Sequence, residues 1–217
     1  MIARVPPPLL IDVVIPARNH AATLSALLRA LPHRAIRSVV VIDRASTDRT
    51  AEIARDSGAL ALREPSGGYG AACVRAQSHF SALPRVPDVI VFIPADRPAA
   101  APQVVELVAP IAERSIELVL GIEPGRRPLG AKLVTGLIDT VYRHRWSGVG
   151  PVRAMRFPAL IALGMSDRAD GWDVEMLVRA AKLGLSCDEV ALPRDDPRQT
   201  GGLGRALLHI LRHATMR

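Results

Sequence analysis

The sequence predicts an α/β fold with a mostly parallel central sheet and helices on both faces, and three observations support this. Apolar segments typical of strands alternate with helical patterns from residue 11 onward. Strand segments such as SVVVID and DVIVFIP are apolar nearly throughout, as expected where helices cover both faces of a sheet. The 217 residues, 49% of them hydrophobic, are enough to bury the core of one such domain.

The individual elements follow from this alternation. The predicted strands are Ile11–Pro16, Ser38–Ile42, Ala59–Arg63, Val89–Ile93, Leu118–Gly121 and Ser186–Leu192, with a short segment over Val149–Met155. The predicted helices are Ala21–Leu31, Asp48–Ser57, Gly70–Leu83, Pro102–Ala112, Leu129–His144 and Asp173–Leu183. Residues 203–217 predict a basic amphipathic helix, which either lies on an anionic membrane surface or packs against its own domain.

The charge is unevenly distributed. Lys and Arg total 28 against 21 Asp and Glu, a formal charge of +7, and only two of the basic residues are lysines. Residues 123–156 hold +5 of this charge: Arg126, Arg127, Lys132, Arg143, Arg145, Arg153 and Arg156 against Glu123 and Asp139. Aromatic residues make up 3%, too few for a base-stacking platform, so a phosphate-rich ligand is expected rather than a nucleic acid.

The cysteines and the N-terminus predict a cytoplasmic protein. Two cysteines are too few for a disulfide framework or, alone, for a zinc site. Three consecutive prolines interrupt the start of the chain where a signal peptide needs an apolar run, and no stretch reaches about 18 apolar residues. Peripheral contact at the inner membrane surface stays open through the C-terminal helix, and the oligomeric state is open as well.

Four motifs stand at or near predicted strand ends, where open α/β sheets bind ligands. In chain order they are Pro16-Ala17-Arg18-Asn19, Asp43-Arg44-Ala45-Ser46-Thr47-Asp48-Arg49-Thr50, Gly67-Gly68-Tyr69-Gly70-Ala71-Ala72 and Pro94-Ala95-Asp96. Gly150–Ala154, Gly171–Met176 and Glu189–Val190 follow in the second half.

In this order and spacing the motifs resemble the inverting GT-A-fold glycosyltransferases of family two. The nearest branch is similar to the dolichyl- and polyprenyl-phosphate mannose or glucose synthases and their small soluble bacterial relatives. The resemblance covers roughly residues 10–200. It implies one Rossmann-like GT-A domain over residues 1–217, with a nucleotide-sugar-binding half (10–122), an acceptor half (123–200) and the basic helix (203–217). It also implies transfer of a hexose from a UDP- or GDP-sugar to a polyprenyl phosphate or a small hydroxylated acceptor.

The resemblance also implies a set of donor-binding residues. They are Pro16, Ala17, Asn19, Asp43, Arg44, Gly70, Ala95, Asp96 and Arg97. Asn19 can cap the first helix, whose free N–H groups suit a diphosphate. Asp43 would accept a hydrogen bond from the nucleobase, and Gly68 and Gly70 would let the backbone pass close to the nucleotide. Ser46 and Asp48 are expected only to form the capping turn of the next helix.

Asp96 is the last acid of the family's Asp-x-Asp element, where Mg²⁺ or Mn²⁺ bridges the protein and the diphosphate. The sequence departs from that pattern, since Pro94, Arg97 and Pro98 replace an acid, a glycine and a polar ligand. Further departures are His20, Arg44, Ala45 and Gly148. We hypothesise that Arg97, assisted by Arg44 at a neighbouring strand end, pairs directly with the diphosphate. The alternative is a non-catalytic nucleotide- or phosphate-binding module with a decayed site.

Acceptor binding depends on the acceptor's chemistry. A phosphate acceptor needs no base, and the resemblance suggests Arg126, Arg127 and Arg153 as its contacts. A hydroxyl acceptor needs a carboxylate to take its proton, so Asp173 and Glu175 join Asp96 as predicted catalytic acids, with Glu175 the better match. Trp172 either stacks on the acceptor sugar or belongs to the core.

Overall fold

The computed structural model describes residues 9–65, 68–124 and 146–195. Among these residues, one sheet contains seven strands: β1 (Ile11–Ala17), β2 (Ser38–Asp43), β3 (Leu60–Arg63), β4 (Val89–Phe92), β5 (Leu118–Ile122), β6 (Val152–Arg156) and β7 (Cys187–Ala191). The described helices are α1 (Ala21–Ala30), α2 (Thr50–Asp56), α3 (Tyr69–Ser81), α4 (Val104–Arg114), α5 (Phe157–Leu163) and α6 (Trp172–Leu183).

The sheet is mostly parallel, as the sequence predicts. Its strand order is β3-β2-β1-β4-β6-β5-β7. The pairs β2–β3, β1–β2, β1–β4 and β5–β7 are parallel, whereas β6 is antiparallel to both of its neighbours. The strand β6 lies between β4 and β5. At its centre, Ala154 lies opposite Val91 of β4 on one side and Val119 of β5 on the other.

Two apolar clusters cover the two faces of the sheet, which explains why its strands are apolar throughout. Val13, Val14 and Ile15 of β1 have no exposed surface. Val13 and Ile15 belong to the cluster that α1 and α4 cover, whereas Val14 belongs to the cluster that α3, α5 and α6 cover. The helices therefore form two layers around a central sheet.

Most predicted elements lie within a residue or two of the observed bounds. Two differences have local causes. The predicted helix over Pro102–Ala112 begins earlier as a 3-10 helix, Pro98–Gln103, and continues as α4. The helix α5 was not predicted, because it contains seven residues and follows β6 directly, too short for a helical period to stand out.

Two further predictions concern contact with a membrane and the helix over Leu129–His144. Within residues 9–65, 68–124 and 146–195, no helix has both the length and the hydropathy of a bilayer span. The helices predicted over Leu129–His144 and 203–217 lie outside the described residues.

Candidate active site

The carboxyl ends of β1, β2, β3, β4, β5 and β7 lie at one edge of the sheet, here called the carboxyl edge. The helix α3 begins at this edge because it follows β3. The segment before α6 also lies here, since Gly70 N donates to Ala169 O at 2.8 Å and Ala71 N donates to Arg168 O at 2.9 Å. The edge therefore brings together residues from both halves of the chain.

The loops after β1 and β2 are tied together by side-chain hydrogen bonds. Asn19 N donates to Ser46 Oγ at 3.0 Å, and Asn19 Oδ1 accepts a hydrogen bond from Thr47 N at 2.8 Å. Asn19 has a φ of 57°, a left-handed conformation that asparagine tolerates better than most residues. The prediction that Asn19 caps α1 was wrong, because its side chain instead joins the two loops.

Asp48, from the loop after β2, occupies the start of α1 instead. Its Oδ2 accepts a hydrogen bond from Ala21 N at 3.1 Å, and its Oδ1 accepts one from Thr50 N at 2.9 Å. Burial raises the pKa of Asp48, but the hydrogen bonds from Thr50 and Ala21 outweigh burial and hold this pKa below its usual value. The predicted diphosphate position at this helix end therefore already has a carboxylate in it. Asp48 contacts Thr50 at the start of α2, but the expectation that Asp48 and Ser46 serve only that turn was wrong, because Asp48 also accepts from Ala21 N and Ser46 Oγ accepts from Asn19 N.

Asp43, the last residue of β2, lies beside a cleft of about 240 Å³. The cleft is lined by Asp43, Ser46, Ala51, Arg55, Ala61 and Arg63. Asp43 is 6% exposed, and its Oδ1 accepts a hydrogen bond from Ser46 N at 3.1 Å. The carboxylate predicted to bind a nucleobase is thus held in a fixed orientation at the wall of a cleft.

Pro16, Ala17 and Ala95 hold the strand ends together. All three are buried, and Ala17 and Ala95 have no exposed surface. Pro16 O accepts a hydrogen bond from Ala95 N at 3.3 Å, Ala17 O accepts one from Arg44 N at 2.8 Å, and Ala95 O accepts one from Thr23 Oγ1 at 2.8 Å. Their contact with a donor remains a prediction.

Gly68 and Gly70 allow the segment before α6 to approach α3. A Cβ on Gly70 would lie 2.2 Å from Asp167 O, and a Cβ on Gly68 would lie 2.6 Å from Ala169 Cα. Both distances are shorter than any van der Waals contact. The expectation that these glycines make room for a nucleotide is corrected, because backbone of the same chain fills that space.

Asp173, in the first turn of α6, is anchored by a buried arginine. Its Oδ1 lies 2.9 Å from Nη2 of Arg153, whose side chain has no exposed surface, while 21% of the Asp173 side chain is exposed. Arg153 Nη2 also donates to Gly150 O at 2.6 Å. Burial raises the pKa of Asp173, and the Arg153 charge opposes this rise.

This anchoring corrects the acceptor contact predicted for Arg153. A phosphate group cannot reach a guanidinium without exposed surface, whereas Asp173 keeps a surface that solutes can reach. Oδ1 of Asp173 is itself buried, so the exposed part of this side chain lies elsewhere than at Oδ1.

Glu175 and Trp172 have structural roles. Glu175 accepts hydrogen bonds from Ser166 N, Asp167 N and Arg179 Nε, so its carboxylate holds the segment before α6. The preference for Glu175 over Asp173 as a catalytic acid is therefore corrected. Trp172 has no exposed surface and belongs to the core, which selects core packing over sugar stacking among its two predicted roles.

Three carboxylates surround Arg97 at the carboxyl edge. Arg97 Nη1 donates to Glu123 and lies 3.6 Å from Asp195 Oδ2, while Arg97 Nε lies 3.9 Å from Asp96 Oδ1. We call Asp96, Arg97, Glu123 and Asp195 the Arg97 cluster. The sequence analysis missed Glu123 and Asp195 as partners of Arg97, although Glu123 lies two residues after a predicted strand.

The residues of the Arg97 cluster do not fit the divalent metal that the resemblance implies. The guanidinium occupies the space among the three carboxylates, and Pro94 and Pro98 offer no side-chain ligand. Within the described part of the chain, no three His, Cys, Asp or Glu side chains are arranged to hold a metal ion. Asp96 stays a predicted donor and catalytic residue, with 44% of its side chain exposed.

Arg44 follows β2 and Arg97 follows β4, and these two strands are not neighbours in the sheet. β1 separates β2 from β4, so the expectation of neighbouring strand ends was wrong. Arg44 is half-buried, and this burial lowers its pKa. The negative charge of Asp170 opposes the decrease. Arg97 instead contacts Glu123 and Asp195. The predicted acceptor contacts Arg126 and Arg127 lie outside the described residues.

Comparison with known proteins gives the family. No protein-family model matches the sequence. An uncharacterized glycosyltransferase of Mycobacterium tuberculosis is 33% identical over 187 residues, covering 80% of this chain and 80% of that protein. The corresponding protein of Mycobacterium bovis is equally similar. At this identity and coverage the chain belongs to the glycosyltransferases, which confirms the predicted enzyme class.

Solved structures confirm the GT-A-type fold. Glucosyl-3-phosphoglycerate synthase of Mycobacterium tuberculosis in complex with phosphoglyceric acid has a TM-score of 0.71 at 22% identity, covering 94% of this chain and 79% of that chain. The same synthase with Mn²⁺, UDP-glucose and phosphoglyceric acid has a TM-score of 0.69 at 20% identity, with the same coverage.

Proposed function

We propose that this glycosyltransferase transfers a hexosyl group from a UDP-sugar to a hydroxyl group of a small acceptor, with inversion at the anomeric carbon. The observation that carries this proposal is the carboxylate of Asp173. Its Oδ1 is buried against Arg153, while 21% of the side chain stays exposed at the start of α6. A carboxylate held in this way suits a general base, which a hydroxyl acceptor requires and a phosphate acceptor does not.

The cleft beside Asp43 supports a uracil base in the donor. The Watson–Crick edge of uracil has one N–H between two carbonyl oxygens, whereas guanine presents two adjacent donors. The cleft offers the Asp43 carboxylate together with the side chains of Ser46, Arg55 and Arg63, which donate hydrogen bonds. The Asp43 carboxylate can accept from the single N–H of uracil, and the neighbouring donors can bind its two carbonyl oxygens. The structural relative, glucosyl-3-phosphoglycerate synthase, is itself bound to UDP-glucose.

In the proposed reaction the acceptor oxygen attacks the anomeric carbon while Asp173 takes the acceptor's proton. A bond forms between the acceptor oxygen and the anomeric carbon, and the bond from that carbon to the diphosphate oxygen breaks. UDP leaves with the bonding electron pair, and the single displacement inverts the anomeric configuration. The raised pKa of Asp173 strengthens it as a base.

The diphosphate of the donor would lie near Asp96 and Arg97, in the segment that follows β4. Arg97 has 27% of its side chain exposed and can offer N–H groups to phosphate oxygens. A crystal structure of glucosyl-3-phosphoglycerate synthase contains Mn²⁺ with UDP-glucose, but the residues of the Arg97 cluster do not fit a metal. Full transfer activity in excess chelator is expected, and strict metal dependence would contradict it.

The experiment that tests the function is a transfer assay with two acceptor classes. The purified protein is incubated with UDP-hexoses and with either small phosphorylated hydroxy acids and polyols or a polyprenyl phosphate. Nuclear magnetic resonance of the product then gives the anomeric configuration. We expect transfer to the small acceptors with inversion, slowed by about 10²- to 10⁴-fold in Asp173→Asn.

Two other results would replace this proposal. Transfer to polyprenyl phosphate that survives Asp173→Asn would indicate the lipid acceptor, which needs no base. Stabilisation by UDP in a thermal-shift assay, without transfer or hydrolysis of any UDP-hexose, would indicate the non-catalytic binding module.

A further inference from the structure

The Arg97 cluster joins the ends of three strands through one guanidinium. Asp96 and Arg97 follow β4, Glu123 follows β5 and Asp195 follows β7. Arg97 Nη1 donates to Glu123 Oε1, and the nearest Arg97 nitrogens lie 3.6 Å from Asp195 and 3.9 Å from Asp96. Every carboxylate in the cluster therefore lies within ion-pair distance of the same cation.

Asp195 is held in place by a contact outside the cluster. The Asp195 side chain is 4% exposed, and its Oδ1 accepts a hydrogen bond from Ala99 N at 2.8 Å. The Glu123 side chain is 19% exposed. Because Asp195 is anchored by a backbone N–H group, it would keep its place if the arginine were removed.

The charges of the cluster are unbalanced without a cation. Burial raises the pKa of Asp195, and the charges of Glu123 and Asp96 raise it further, while the Ala99 N–H and Arg97 lower it. Three carboxylates so close together repel one another, and the guanidinium is the positive charge among them. Without it, the cluster would have to bind protons or another cation.

A guanidinium and a divalent ion cannot occupy this space together. A metal such as Mn²⁺ or Mg²⁺ needs carboxylate oxygens at about 2.0–2.2 Å from its centre. The Arg97 nitrogens already lie against the oxygens that would have to converge. We propose that Arg97 is the resident cation of this cluster and excludes a divalent metal from it. The proposal concerns cation binding and does not depend on the identity of the donor or the acceptor.

Mn²⁺ binding to the full chain tests this proposal. Binding is measured by the loss of the electron paramagnetic resonance signal of free Mn²⁺, with no nucleotide present. Once the guanidinium is gone the carboxylates can converge, so we expect Arg97→Ala to bind one Mn²⁺ at least about tenfold more tightly than the wild type. Arg97→Lys, which keeps the positive charge, should resemble the wild type, and Arg97→Ala combined with Asp195→Asn should lose the added affinity.

A thermal-shift measurement keeps the test valid if the variant is weakly folded. Mn²⁺ should raise the Tm of Arg97→Ala and leave that of the wild type unchanged, because only a ligand bound by the folded state stabilises it. Arg97→Gln, which keeps more of the side-chain volume, serves as a second neutral variant. The proposal is overturned if neither neutral variant gains Mn²⁺ affinity. It is also overturned if the wild type binds Mn²⁺ as tightly as Arg97→Ala and loses that binding in Asp195→Asn.

Discussion

Oδ1 of Asp173 lies 2.9 Å from Nη2 of Arg153, an arginine whose side chain has no contact with solvent. Arg153 is itself held by Gly150 O, so the arginine fixes the carboxylate relative to β6. Since Asp173 is in the first turn of α6, this ion pair joins the centre of the sheet to a helix that begins at the carboxyl edge. The pair sets the direction that Asp173 presents to a bound acceptor.

Asp173→Asn tests the proposed base, because it keeps the side-chain shape and removes the proton acceptor. We expect kcat to fall by about 10²- to 10⁴-fold, the usual contribution of a general base, with UDP affinity unchanged. Steady-state kinetics and calorimetry measure the two quantities. The control is Glu175→Gln, which weakens hydrogen bonds to Ser166 and Asp167 and should lower the Tm while the folded enzyme keeps its kcat. Wild-type kcat in Asp173→Asn would exclude this base.

Arg153→Met tests whether the ion pair positions and tunes Asp173. The Arg153 charge lowers a pKa that burial raises, so its removal should raise the Asp173 pKa further. A base must be ionised to act, hence activity falls as the pH drops through this pKa. The acidic limb of the kcat/KM profile should therefore move to higher pH in Arg153→Met. A merely structural role would lower the Tm and leave the limb where it is.

Asp43→Asn tests the nucleobase contact with little change in shape. The Asn oxygen can still accept the hydrogen bond from Ser46 N, which leaves the NH₂ group facing the cleft. This donor would oppose the N3–H of uracil, so the Kd for UDP should rise about tenfold or more, equivalent to about 1.4 kcal/mol. Cytosine has an acceptor at N3, so CDP should lose less affinity than UDP. Unchanged UDP binding would place the base elsewhere.

Gly70→Ala tests the contact between α3 and the segment before α6. Its Cβ would lie 2.2 Å from Asp167 O, a backbone atom, so we expect a loss of about 1–3 kcal/mol despite the better helix propensity of alanine. Gly148→Ala is the matched control, because its Cβ would lie 3.5 Å from Ile122 Cδ1, an ordinary contact. Chemical denaturation measures both variants, and equal stabilities would show that the segment moves aside freely.

Ala45→Gly tests a local backbone strain. Ala45 has a φ of 53°, a left-handed conformation that costs residues with a Cβ about 1–2 kcal/mol. Glycine removes this cost but adds flexibility to the unfolded chain, worth about 0.4–1 kcal/mol. The net expectation is a free energy of unfolding that is unchanged or up to about 1 kcal/mol higher. A clear loss of stability would mean that the Ala45 methyl group makes a contact of its own.

The sheet and the family could be predicted from the sequence, whereas the roles of individual side chains at the site could not. A strand that is apolar throughout, such as Val13–Ile15, indicates from a short stretch of sequence that helices cover both faces of the sheet. By contrast, the choice between Asp173 and Glu175 depends on which one meets Arg153, a residue twenty positions earlier. Two of the three carboxylates around Arg97, those of Glu123 and Asp195, come from other strand ends, and no local sequence pattern predicts that they meet.

The same limit explains the glycines and Asp48. A Gly-Gly-Tyr-Gly sequence permits a close approach but does not identify what approaches, here residues 167–169. Asp48 was correctly read as a cap of its own helix, yet its second oxygen serves α1, whose start lies close only after β1 and β2 have paired.

The antiparallel insertion of β6 determines the order in which the sheet can be completed during synthesis. The strands β1 to β4 pair among themselves, so that half of the sheet can assemble as soon as β4 leaves the ribosome. Among the described strands, β5 pairs only with β6 and β7, both of which are made later. Until residue 156 emerges, the edges of β4 and β5 that β6 later joins are therefore unpaired, and the other edge of β5 waits for β7. Unpaired apolar strand edges favour aggregation, so the nascent chain is exposed to it during that interval.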